Sequence, residues 1–198
     1  MEILGALHRD KTLQEQIFPD AFSHQYSPNW QDHSTAAECK FIEIQGGGPE
    51  QVAQITGSKA HHVWLHLRNS KMKRFTGPQI LKFRNRNPEK YAKTCRISLA
   101  SSFLGSLFLG RIAPLDISDV CGMNLWDIPN QQWSTKLLEI VGGDPVDLVS
   151  KLGEVEMEGG ANLGKIHHYF VSRYNFRKGW SSYFQTEIRL HHYSIYRW

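Results

Sequence analysis

The sequence predicts a mixed α/β region that is one part of a larger domain. Its 198 residues are 40% apolar and 12% aromatic, enough to build a core and near the usual size of a single domain. Glycine and proline cut the chain into short segments, several with apolar residues at helical spacing. Extended segments are too few, and alternate too irregularly with the helices, to complete a doubly wound sheet. No internal repeat is present.

Punctuation becomes clear from Ser27 onward. In SPNWQDHSTAAECKFIEIQGGG, a short extended piece leads to Thr35 and Glu38 at capping-box spacing, and the segment leaves at Gly46. A helix of about three turns follows from that spacing. Pro49 suits the first turn of a second helix, with Val52 and Ile55 on one face and an end at Gly57. A third helix starts at about Pro78, buries Ile80, Leu81 and Phe83, and is interrupted by Pro88.

CRISLASSFLGSLFLG stops at Gly110, and Ala100, Ser102, Gly105 and Ser106 leave little bulk on part of its surface. Such a segment packs closely in a core. The next stretch, APLDISDVCGMNLWDIPNQQW, reads as one or two short strands joined by a loop. It leads into a helix on which Trp133, Leu137 and Val141 share a face. Asp144-Pro145 opens a last short helix, closed at Gly153. Two stretches break this style, residues 61–73 (HHVWLHLRNSKMK) and 177–198, both dense in His, aromatic and basic residues without a clear period.

Composition excludes several classes of function. The longest apolar run, Ile97 to Leu109, is broken by serines and a glycine and falls far short of the ~20 residues of a membrane span. The first sixteen residues mix acids and bases without a basic head and apolar run, so they do not read as a secretory signal, and the cytoplasm is the expected compartment. Cys39, Cys95 and Cys121 lack CxxC spacing, which argues for free buried or half-buried thiols over zinc or disulfides. A net charge of +4 is spread along the chain and does not single out nucleic acid as partner.

Four features invite a chemical reading. Gly159 to Lys165 (GGANLGK) approaches the phosphate-cradling pattern GxxxxGK, but Ile166 stands where the magnesium-binding Ser or Thr belongs, and the preceding EVEME is too acidic for the buried strand that delivers such a loop. A plain turn is the expectation. The pairs His61-His62, His167-His168 and His191-His192 point their neighbours to opposite sides, so no metal ligand set is expected. Asp32 and Asp119 sit where turns use Asp. Arg74, just before a helix start, is on chemistry alone an ordinary surface arginine.

Taken in order, SPNWQDHSTAAEC, ITGSKA, RFTGPQILKFRNRNPEKY, RISLASSFLGSLFLG, DISDVCGMNLWDI and GANLGKIHHYFVSRYNF resemble the N-terminal lobe of eukaryotic-type xylulose kinases of the FGGY carbohydrate-kinase family. The resemblance runs from Ile17 to Phe176, interrupted at 61–73, and leaves 1–16 as an extension and 177–198 as a tail. It implies an incomplete ribonuclease-H-like, actin-like ATPase lobe. It also implies ATP-dependent phosphorylation of D-xylulose to xylulose 5-phosphate, with ATP and magnesium as cofactors.

The family's Asp-x-Ser-Thr phosphate motif, its Gly-Gln-Gln-His segment and the Thr-Gly-Asp-Asn turn holding its catalytic aspartate have no match here. The resemblance therefore implies no catalytic, cofactor or metal residue in this chain. One contact carries over: the arginine before Phe-Thr-Gly is Arg74, whose guanidinium would donate to sugar hydroxyls. The resulting expectation is an inactive part of a sugar kinase. The alternative is a non-catalytic interaction protein derived from the same lobe.

Overall fold

A computed structural model describes residues 2–183 except 19–20, 25, 29–31, 33, 59, 61, 64–70, 73 and 74. After a 3-10 turn at Glu2–Ala6 come helices α1 (Leu13–Ile17), α2 (Ala36–Gly46) and α3 (Pro49–Thr56), and strands β1 (His62–Val63) and β2 (Lys71–Met72). Helices α4 (Thr76–Arg86), α5 (Pro88–Lys93) and α6 (Ala100–Leu109) follow, then β3 (Leu115–Asp116), α7 (Ile117–Cys121), β4 (Trp126–Asp127) and β5 (Gln132–Trp133). The remainder holds α8 (Thr135–Gly142), α9 (Pro145–Leu152), β6 (Val155–Glu156), β7 (Asn162–Lys165), α10 (His168–Tyr174) and β8 (Ser181–Tyr183). Every sheet among the described residues has two strands; only β3–β6 is parallel, and β1–β2, β4–β5 and β7–β8 are antiparallel. The fold is thus mixed α/β with small sheets.

The chain forms two compact units, one from residues 1–22, 98–118 and 153–198, the other from 23–97 and 119–152. In the first, Leu7, Ile17, Leu107, Tyr169 and Phe170 bury one another, joined by half-buried Leu13, Phe103 and Phe108. The small residues of α6 serve the close packing expected of them: Ser106 Oγ donates to the Ser102 carbonyl (2.6 Å) and accepts from the Ala113 amide (2.9 Å). Ala100 is exposed and takes no part. In the second unit, α2, α4, α8 and α9 enclose Ile42, Leu81, Leu137, Leu138, Val141 and Leu148, all buried. Arg84 of α4 donates to the Val141 carbonyl (2.9 Å), and Lys136 of α8 donates to the Gly46 carbonyl (2.8 Å). Each cation thereby satisfies a carbonyl left open at a helix C-terminus.

Several local expectations change. Thr35 precedes α2 but makes no capping bond, because its side chain is turned into the core at 0% exposure, where it meets Cys39 Sγ (3.9 Å). Helix α2 closes one residue later than expected, with Gly47 in the left-handed region (φ 99°). Helix α4 begins at Thr76, two residues early, since Pro78 falls in a first turn whose amides need no helical partner. Phe83 on α4 is only half-buried. Trp133 lies in β5, stacked edge-on against Trp126 (5.1 Å), and not on the helix. A helix, α7, separates β3 from β4 where a loop is expected. Cys39 is buried and Cys121 half-buried as expected, whereas Cys95 is exposed.

The sequence reading places no element before residue 27, yet α1 forms there behind a complete capping box. The Thr12 amide and hydroxyl donate to Glu15 (2.6 and 2.7 Å), and the Glu15 amide donates back to Thr12 Oγ1 (3.2 Å). Of the 61–73 stretch, His62–Val63 and Lys71–Met72 form the antiparallel β1–β2 pair. Residues 61, 64–70 and 73 lie outside the described residues. So does the tail beyond Tyr183.

Candidate functional site

Within the second unit, the segment that carries the only expected substrate contact is fixed tightly. Arg74 itself lies outside the described residues. Phe75, the next residue, is the extended N-cap of α4 and is buried. The Gly77 amide donates to the Met123 carbonyl (2.9 Å), and a Cβ at Gly77 would come 3.0 Å from that oxygen and 3.3 Å from Leu125. Only glycine lets α4 approach that backbone so closely. The segment from Phe75 onward is anchored by this contact.

One turn further along α4, Gln79 and Lys82 share a face and meet Asp32. Gln79 Nε2 donates to Asp32 Oδ2 (2.9 Å), the Lys82 ammonium stands 3.9 Å from the same oxygen, and the Ser34 amide donates to Asp32 Oδ1 (2.8 Å). Lys82 also donates to Ser34 Oγ. Hydrogen bonds from Ser34 hold the Asp32 carboxyl down to about 2, aided by Gln79 and Lys82 and against a burial that pushes it up. Asp32 precedes the turn at 34–35, whose Ser34 amide it accepts, and it also reaches Gln79 across 47 residues.

A depressed carboxyl has a defined consequence for stability. Because the folded value lies below the ordinary one of 3.8, Asp32 stabilises the fold fully above that pH, and the contribution is lost as pH falls toward about 2. In urea titrations from pH 5 to pH 2, Asp32→Asn is expected to flatten the acid limb of the midpoint and to lower the midpoint at pH 5. An acid limb identical to that of the parent chain would contradict the assignment.

In the GxxxxGK-like stretch, Asn162 to Lys165 form β7 against β8, and two of its amides are bonded locally, Ala161 to the Glu158 carbonyl (3.3 Å) and Gly164 to Asn162 Oδ1 (3.0 Å); just beyond it Ile166 donates to the Trp180 carbonyl (2.9 Å) and His167 to the Phe108 carbonyl (2.6 Å). The segment is a turn followed by a strand. His167 caps α10, and burial of its ring, with His168 beside it, lowers its pKa. Among the described residues no three His, Cys, Asp or Glu side chains converge as metal ligands do. Ile166, standing where the phosphate-cradling pattern needs a magnesium-binding Ser or Thr, lies just past this strand, so this stretch does not fit that pattern. No described helix is long and apolar enough to cross a membrane.

No protein-family model matches the chain. Over 177 residues, 88% of the chain, it is 54% identical to a protein named "Probable D-xylulose kinase A" from Aspergillus clavatus, and 49% identical over the same length to its namesake from Arthroderma otae. The chain matches part of the sequence of proteins named as probable D-xylulose kinases. It spans about 29% of the length of the Aspergillus clavatus protein. Among solved structures it is similar to a "xyloylose kinase" from Brucella ovis (TM-score 0.58, 18% identity, 78% of this chain and 27% of that one). A gluconate kinase from Lactobacillus acidophilus gives TM-score 0.61 at 12% identity, over 78% of this chain and 28% of that one. At such identities the likeness speaks for fold alone, and the fold is that of part of an FGGY sugar kinase, as expected.

The polar cluster of Asp32, Gln79 and Lys82 escaped the reading of the sequence. A signal was present: Gln79 and Lys82 are polar residues three apart on a helix that otherwise turns Ile80 and Leu81 inward. What they meet is a tertiary fact that no local pattern states.

Proposed function

We propose that this chain supplies sugar-side elements of a D-xylulose kinase lobe and does not itself transfer phosphate. Identity of 54% over 88% of the chain carries the reading. The meeting of the SPNWQDHST and RFTGPQI segments at Asp32 and Gln79 supports it. In this reading Ile17 to Phe176 is the lobe portion, and Arg74, which directly precedes Phe75 in the sequence, donates hydrogen bonds to hydroxyls of D-xylulose. The complete reaction moves the γ-phosphoryl group of ATP to a terminal sugar hydroxyl, whose proton a carboxylate accepts. Such transfer needs cradled phosphates, a held magnesium ion and that base. The motifs to which the resemblance assigns these three have no match in this sequence, so no step of transfer is assigned to it. The setting is the cytoplasm.

Thermal unfolding with D-xylulose tests the sugar-side role. A ligand that binds only the folded state raises the midpoint as its concentration grows. The parent chain is expected to show a saturable rise and Arg74→Ala to show none. An equal rise in both, or none in the parent, would reject the assignment.

A further inference from the structure

Two segments of the second unit, the end of α3 and the start of α4, are held by neighbouring residues of one turn. After α7 the Gly122 and Met123 amides donate to the Asp119 and Val120 carbonyls (2.9 and 3.0 Å), which closes that turn. Its Met123 carbonyl accepts the Gly77 amide at the start of α4 (2.9 Å). The next residue, Asn124, takes the other segment: its Nδ2 donates to Thr56 Oγ1 (2.7 Å) in the last turn of α3 and to the Ser58 carbonyl (3.0 Å) just beyond. Residues 123 and 124 thus hold both ends of the stretch between Ser58 and Gly77.

The partners settle which way the Asn124 amide faces. The Ser58 carbonyl can only accept, and Thr56 Oγ1 gives its own proton to the Val52 or Ser58 carbonyl (2.9 and 2.8 Å), so the nitrogen of Asn124 must face them. Oδ1 is left accepting from no described group, although Asn124 is only 1% exposed. The Asn124 backbone is also left-handed (φ 63°), a conformation that asparagine tolerates better than most residues with a side chain. A left-handed residue and an unsatisfied buried acceptor both cost stability, and such costs persist at ligand clamps, where the surroundings over-determine the conformation. Backbone on either side does so here: the Ile128 amide donates to the Ile55 carbonyl (2.9 Å) and the Ser134 amide to the Leu125 carbonyl (3.0 Å).

We infer that Asn124 is a positioning residue for D-xylulose binding, acting through the end of α3 and the start of α4. Its burial keeps it from touching the sugar itself. The inference rests on the sugar-side role proposed for this chain, and it assigns the bracing of that side to a residue outside the RFTGPQI segment.

Thermal unfolding of the whole chain across a D-xylulose series tests this, with the unliganded midpoint and the half-saturating concentration read separately. Asn124→Gly keeps the left-handed backbone and removes the amide. Thr56→Val removes one partner of that amide, whereas Thr56→Ser retains the hydroxyl. Losing a hydrogen bond of ordinary net strength leaves the binding-competent arrangement less populated, so half-saturation is expected to rise about three- to tenfold in Asn124→Gly and Thr56→Val and to stay within about twofold of the parent in Thr56→Ser. If Asn124→Gly does not fold, the two Thr56 variants decide by the same criterion. A merely structural Asn124 would lower the unliganded midpoint while half-saturation stays at the parent value, and that result overturns the inference alone. No saturable rise in the parent would instead reject the sugar-side role, and this inference with it.

Discussion

Leu137→Ala is expected to leave the second unit largely unfolded at room temperature. Leu137 is 0% exposed in α8, and its Cδ2 lies 3.8 Å from where a Cβ on Gly46 of α2 would stand, so it fills the space between these helices. Truncating a fully buried leucine costs ~2–5 kcal/mol through lost transfer energy and the cavity left behind. Whole domains hold only ~5–15 kcal/mol in reserve. This chain should sit low in that range, because every sheet among its described residues has two strands, and such pairs add little stability alone. Exposed Phe41 and Ile44 on α2 likewise leave apolar surface unburied. Near-ultraviolet circular dichroism and a urea titration measure the effect. A midpoint shift worth under ~1 kcal/mol would show that the site collapses around the smaller side chain.

How far the sequence revealed the fold depended on whether the signal was local. Helices α3 and α9 carry proline at their first position, where the sequence places their starts, and they bury Val52, and Leu148 and Leu152, respectively, so both were readable. Capping boxes show the limit. Thr35 and Glu38 have the right spacing, but burial of Thr35 overrides the cap, whereas Thr12 and Glu15 sit at the exposed surface and form it. Trp133 fits the period of α8 and is nevertheless drawn into β5 by its ring contact with Trp126. At the candidate site, the resemblance marked Arg74 by its place before Phe-Thr-Gly. The pairing of Asp32 with Gln79 depends on the segment before α2 meeting α4, which one-dimensional spacing does not encode.

The second large effect concerns chemistry. Supplied with ATP, magnesium and D-xylulose, the 198-residue chain is expected to form no xylulose 5-phosphate above blank. The motifs through which the resemblance would hold phosphates, magnesium and the base have no match in this sequence, and of the amides after Gly159 those of Ala161, Gly164 and Ile166 are already bonded within the chain. A missing general base alone lowers rates ~10²–10⁴-fold, and loss of phosphate and metal contacts compounds it. Sugar-side contacts cannot replace these, because they hold ground state and transition state about equally.

The most direct measurement is therefore product formation by the purified chain, followed by phosphorus magnetic resonance, with the full-length Aspergillus clavatus relative assayed beside it. Our account predicts a xylulose 5-phosphate signal from the relative and none from the chain. An ATP- and magnesium-dependent signal from the chain that disappears in Arg74→Ala would contradict it.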